Sequence, residues 1–208
     1  MENSDKTSLG QEVAVAILTG GLSRRFGSPK ALASLEGRRI IDWMVAAASR
    51  LSDEVFLVTG DQPSPPGIAC PAYPDRRPGC GPLGGIDSAL AHSPRPWVAV
   101  MPCDMPLLDG AVYHALAGYR RAGRPVLARS HSGLEPLVSL WPCSLARPVE
   151  QALASGDFAL YAWTRRWRAV VVDLPAEIPD YRPEWFTNIN YREDLQALMD
   201  RLSRVSGE

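Results

Sequence analysis

Residues 18–30 read LTGGLSRRFGSPK, three glycines and three cations with no acid among them. Glycine lets a backbone approach an anion closely and present its N–H groups. Arg24, Arg25 and Lys30 bring positive charge to the same stretch, arginine as a planar fork and lysine as a mobile point charge. Pro29 fixes the backbone just before Lys30. The chemistry this suits is phosphate binding. The spacing is not that of a Walker A loop, because Gly27 is not followed directly by Lys and Ser/Thr. Nor is it GxGxxG, because Gly20 and Gly21 are adjacent. A solvated basic turn would have the same composition. The position directly after the apolar run VAVAIL favours the phosphate reading.

Three further segments carry candidate groups. In MPCDMPLLD (101–109), Asp104 follows an apolar strand and lies between two prolines. A carboxylate there suits Mg²⁺, which takes one or two carboxylates and completes its shell with phosphate and water. Asp109 directly precedes the next helix and is the better cap, so Asp104 has no evident structural task. In PDRRPGCGPLGGIDSAL (74–90), glycine and proline lead into a helix whose free N–H groups form an anion site. Taken alone, that segment reads as a structural turn and Asp75 as a surface carboxylate. In WFTNINYREDL (185–195), Asn190 is expected to cap the last helix with Glu193 three residues on. Asn188 has no such role. The histidines at 92, 114 and 131 are isolated, and the four cysteines form no CxxC pair.

The elements that must position these groups alternate. Apolar runs at 13–18, 54–60, 94–102, 124–130, 133–142 and 168–174 read as strands. Helical spacing appears at 38–52, 86–92, 110–123, 143–155, 159–167 and 190–205. The Pro/Gly-rich stretch 61–85 must be mostly loop, with room for a short strand at 67–70. Such alternation predicts an α/β fold: a Rossmann-like three-layer sandwich with a mostly parallel sheet and helices on both faces. Ligands in these sheets sit beyond the carboxyl ends of the strands, where the 18–30, 75–85 and 104 segments fall.

The chain has 208 residues, 46% apolar and 22% charged, with a net charge of −1. That predicts one domain over 13–205 behind a flexible tail at 1–12. No basic excess points to nucleic acid. No apolar run approaches the ~20 residues of a membrane span, and no signal peptide is visible at the N-terminus. The expectation is a cytoplasmic protein with reduced thiols.

Together the four segments resemble the molybdenum cofactor guanylyltransferase family of nucleotidyltransferases. Leu18, Gly20, Gly21, Ser23, Arg25, Gly27 and Lys30 match its LxGGxSxRxGxxK signature. PGCGPLGGIDSAL, MPCDMPLL and FTNINYREDL match its later segments in order. Departures fall at Thr19, Phe26, Gly84, Glu135 and Tyr191–Arg192, and VTGD (58–61) lacks the family's asparagine. The resemblance implies the nucleotide-diphospho-sugar transferase-like fold and Mg²⁺ as cofactor. It implies GTP and molybdenum-molybdopterin as substrates, joined with release of pyrophosphate. It implies catalytic roles for Arg25, Lys30 and Asp104, with the metal on Asp104. Nucleotide contacts would come from Leu18, Thr19, Gly20, Gly21, Lys30, Asp75 and Asp104, and acceptor contacts from Asn188 and Asn190. A monomer is expected, with other proteins of the same biosynthesis and acceptor molybdoenzymes as partners. A cytidylyltransferase or sugar-phosphate nucleotidyltransferase of the same fold is the nearest alternative. A non-catalytic molybdopterin or nucleotide carrier is the second.

Overall fold

The run VAVAIL forms strand β1 (Val13–Leu18), buried along both faces because it has no polar alternation to offer solvent. In the computed structural model, which describes residues 9–20 and 30–205, β1 lies inside a seven-stranded sheet. It pairs in parallel with β4 (Val55–Val58) on one side and β6 (Trp97–Pro102) on the other. A two-residue strand, β5 (Ala72–Tyr73), adds in parallel beyond β4. Beyond β6 the order is β8 (Gly133–Pro142), β7 (Val126–Ser130) and β9 (Val170–Asp173). β8 runs antiparallel to both its neighbours, and the other four pairings are parallel. The expected α/β class with a mostly parallel sheet is what the chain adopts.

Helices cover both faces. Val13, Val15 and Ile17 point into one core layer with α1 (Ile40–Leu51), α3 (Gly110–Gly118) and α7 (Arg192–Val205). Ala14 and Ala16 point into the other, with α2 (Gly81–His92), α4 (Ala146–Ala154) and α5 (Leu160–Arg166). A one-turn helix, α6 (Leu174–Glu177), follows β9 directly.

Several boundaries differ from the sequence expectation, each for a local reason. α2 begins at Gly81 rather than 86, because Pro82 fits the first helical turn, where an N–H has no partner to lose. Pro148 sits in the first turn of α4 on the same principle, after a short 3₁₀ turn at Cys143–Leu145. The strand expected at 67–70 forms instead at 72–73, where it pairs with β4. Residues 38–39 form a hairpin strand, β3 (Arg38–Arg39), with β2 (Ser34–Leu35), rather than the start of α1. Leu9, expected within the tail, belongs to the fold. Leu9 is buried in the core and its N–H donates to the Leu51 carbonyl at 2.7 Å. Asp109 caps α3 as expected, accepting from the Ala111 N–H at 2.8 Å.

The carboxyl ends of β1 and β4 are drawn together. The N–H groups of Thr19 and Gly20 both donate to the Val58 carbonyl, at 2.9 and 3.2 Å. A Cβ on Gly20 would lie 2.7 Å from the Gly60 nitrogen and 2.8 Å from its Cα. Both are backbone atoms that cannot rotate away. Gly20→Ala is therefore expected to cost about 1–3 kcal/mol in urea unfolding, as overpacking does. Gly85→Ala is the control, since its Cβ would meet only Leu18 side-chain carbons at 3.3 Å. An equal loss in both variants would contradict the tight approach at Gly20.

Candidate active site

β1 stands where the connections diverge, to β4 on one side and β6 on the other, so a crevice opens at their carboxyl ends. A cavity of about 520 Å³ fills it, with Leu18, Val58 and Pro102 among its lining. Thr19 and Gly20 line it too, beside Lys30, Asp75 and Asp104. Five of the residues expected at a nucleotide site are thus brought together with Leu18. Gly21 and Arg25 lie outside the described residues.

Asp104 emerges two residues after β6. Its side chain is 30% exposed, and Lys30 Nζ donates to its Oδ2 at 3.3 Å. Lys30 opens a 3₁₀ turn at Lys30–Leu32, closed by the Ala33 N–H on the Lys30 carbonyl. The same Nζ donates to Asn190 Oδ1 at 3.1 Å. Lysine has only donors to offer, so the amide oxygen must face it. The Asp104 backbone carbonyl accepts from the Ile189 N–H at 2.8 Å, which docks the 188–190 segment against the metal-candidate carboxylate.

Asn190 does not cap α7 as expected. Its backbone N–H and that of Tyr191 donate to Asp194 Oδ2 at 2.7 and 2.8 Å. Asp194, not Glu193, reaches back to the helix start in the manner of a capping box. That leaves the Asn190 side chain for Lys30. Asn188 is exposed, and neither asparagine lines the cavity.

The opposite wall is acidic. Asp75 is held by its N–H on the Gly60 carbonyl at 2.8 Å. Burial pushes its carboxyl above the usual carboxylate range, and the charges of Asp61 and Asp87 push the same way. Asp75 is therefore no ordinary surface carboxylate. Asp61 also lines the cavity and went unrecognised as a site residue in the sequence. Its one signal was a position just past a strand, like that of Asp104. Between these walls Gly79, Gly81 and Pro82 bring the start of α2 to the cavity. Gly79 and Gly81 have φ of 80° and 61°, which glycine alone adopts freely. Cys80, at the cap position, makes no side-chain bond to the helix, so the first N–H groups remain for a ligand.

The chemistry available follows. Burial, then the Asp104 charge, pushes the Cys103 thiol up to about 12, so it is no nucleophile at neutral pH. No histidine lines the cavity among the described residues. Nor do those residues contain a cluster of three or more His, Cys, Asp or Glu able to hold a metal by themselves. A lone carboxylate beside a cavity fits Mg²⁺ supplied largely by phosphate oxygens and water, not a protein-only cage. No helix among the described residues is long and apolar enough to cross a membrane.

Comparison with known proteins agrees with this geometry. Residues 15–171 match the model of the MobA-like NTP transferase domain. A probable molybdenum cofactor guanylyltransferase of Deinococcus radiodurans is 32% identical over 91% of this chain and 95% of its own length. A molybdenum cofactor guanylyltransferase of Sinorhizobium fredii is 29% identical, covering 97% of both chains. Among solved structures, molybdopterin-guanine dinucleotide biosynthesis protein A from Archaeoglobus fulgidus superposes with a TM-score of 0.79 at 25% identity. That match covers 92% of this chain and 99% of that one. With its cavity at the switch point and its sequence matched over most of its length, this chain belongs to the MobA-like NTP transferase family.

Proposed function

We propose that this enzyme transfers GMP from GTP to the terminal phosphate of molybdenum-molybdopterin, forming molybdopterin guanine dinucleotide and releasing pyrophosphate. The observation that carries the reading is the Lys30–Asp104 pair at one wall of the cavity, facing Asp75 and the start of α2 across it.

The reaction forms a bond from an acceptor phosphate oxygen to the α-phosphorus of GTP and breaks the α–β bridge. The attacking oxygen is already anionic, so no general base is needed. That agrees with a described lining that holds no histidine and only the Cys103 thiol, which is pushed up to about 12. Catalysis then rests on positioning and on charge. Lys30 leaves its contact with Asp104 for the phosphates and balances the charge that develops on pyrophosphate. Arg25 would add to it from the preceding loop. Asp104 is the residue that would hold Mg²⁺, which would supply positive charge to stabilise the transferring phosphoryl group. The backbone of Leu18–Gly20 lies against the nucleoside, and Asp75 accepts its donor groups. The N-terminus of α2 offers N–H groups to anionic oxygen. Asn188 and Asn190 face the acceptor, with Asn190 also holding Lys30 in reserve.

Asp104→Ala removes the metal carboxylate while the backbone bond to Ile189 remains. It is expected to cost about a thousandfold in turnover, the order of several kcal/mol of metal-borne stabilisation, with unchanged melting temperature. The assay is pyrophosphate release with GTP, molybdopterin and Mg²⁺, and turnover near wild type would exclude the metal assignment. Thermal shift with GTP against CTP, UTP and ATP tests the base, and a preference for CTP would favour the cytidylyltransferase reading.

Asp75→Asn separates affinity from stability. With its folded pKa raised, Asp75 holds its proton more tightly in the folded state than in the unfolded chain. Its ionisation therefore weakens folding as pH rises from the ordinary carboxylate range through the folded value. The variant is expected to be more stable than wild type at pH 7, with the gain fading as pH falls into that range. GTP affinity should drop about ten- to a hundredfold, as when a hydrogen bond to a charged group is lost. A variant that binds GTP normally would remove Asp75 from the nucleotide site.

A further inference from the structure

The arginines of the PDRRPG segment have no part in the chemistry above. Residues 75, 78, 79, 81 and 82 line the cavity, while Arg76 and Arg77 between them do not. Their side chains turn instead to α2 and its neighbour α4.

There they meet Asp87, whose side chain is fully buried in the middle of α2. Arg77 Nη1 donates to Asp87 Oδ2 at 2.8 Å, and Arg76 Nη1 reaches both carboxylate oxygens at 3.3 and 3.4 Å. Each arginine uses its other terminal nitrogen on Glu150 of α4, Arg77 at 2.7 Å and Arg76 at 3.4 Å. The Arg76 N–H donates to Ser88 Oγ at 2.9 Å, and that hydroxyl donates to the Gly84 carbonyl. Ser88 is also fully buried. The segment packs so closely on the helix that a Cβ on Gly84 would lie 3.0 Å from Cys80 Cβ and 3.3 Å from the Arg77 carbonyl.

We infer that the Arg76–Arg77–Asp87–Glu150 network is a clamp that pre-forms the 75–81 loop for the nucleotide. The inference rests on the nucleotide reading of the cavity. An acid at the centre of a helix is costly to bury and more costly to leave unpaired. If the loop lifts from α2, Asp87 loses both its counter-ions at once. The loop is thereby held in the conformation that presents Asp75, Gly79 and Gly81 to the cavity before any ligand arrives. A ligand meeting a pre-formed loop does not bear the cost of ordering it. Asp87 and Glu150 act through the loop, as positioning residues, and touch no substrate.

The test compares wild type with Asp87→Asn and with Glu150→Gln, the latter a change at a half-exposed site that leaves the buried carboxylate paired. Steady-state kinetics with GTP and molybdopterin are read beside hydrogen exchange at the amides of 76–81. Releasing the loop lowers the fraction of competent protein and raises the apparent dissociation constant in proportion. Asp87→Asn should therefore raise KM for GTP roughly tenfold and Glu150→Gln about threefold. In both, kcat should stay within about twofold, because saturating GTP re-selects the competent loop. Exchange at 76–81 should accelerate in the same order. A fall in melting temperature with KM and exchange unchanged would make the network merely structural and overturn the clamp. Should Asp87→Asn fail to fold, Glu150→Gln decides between these outcomes. If wild type itself binds no GTP, the functional reading fails, and the clamp stands or falls on the exchange data.

Discussion

The central constraint is that β1 is buried on both faces and flanked on both edges. Its side chains alternate between two core layers, and its backbone is paired with β4 and β6 along its length. The chain can leave such a strand only from its carboxyl end. There the neighbouring connections run to opposite sides, and a crevice must remain. Lys30, Asp61, Asp75 and Asp104 gather at that opening. The glycine at position 20 follows from the same crowding, because the Thr19 and Gly20 N–H groups share the Val58 carbonyl and the Gly60 backbone beside them leaves no room for a side chain.

Charge is sorted across the crevice. Lysine meets one carboxylate and one amide on the Asp104 side, while Asp61 and Asp75 stand opposite. The Lys30–Asp104 contact is partly buried and, at 3.3 Å, loose. On the proposed function, it keeps a mobile cation near the phosphates. The paired arginines behind the loop are different, since they meet an acid with no access to water.

Much of this was legible in the sequence because it follows local rules. Apolar runs without alternation announced β1, β4 and β6. Asp104 stood out because Asp109 already explained the next helix start. Other features depend on contacts that sequence spacing does not encode. Asp75 reads as a surface residue until burial and the Asp61 charge are seen together. Asn190 fits a cap by position, yet Asp194 takes the backbone donors and frees it. α2 starts five residues early because glycines at positive φ and a first-turn proline can open a helix as well as break one. Asp87 looks like an ordinary helix-surface acid until a loop folds over it.

The docking of Ile189 on Asp104 has a consequence for how the chain divides. The family match ends at residue 171, but the groups that steady Asp104 and Lys30 come from 189–194. The span matched by the family model holds the described residues that line the cavity, and the 189–194 segment beyond it supports Lys30 and Asp104 from outside. A fragment trimmed to the matched span would keep most of the sheet and the cavity lining but lose the contacts of Asn190 with Lys30 and of Ile189 with Asp104. Through Asp194, the start of the C-terminal helix thus fixes the backbone that meets Asp104 and Lys30, residues far from it in the sequence.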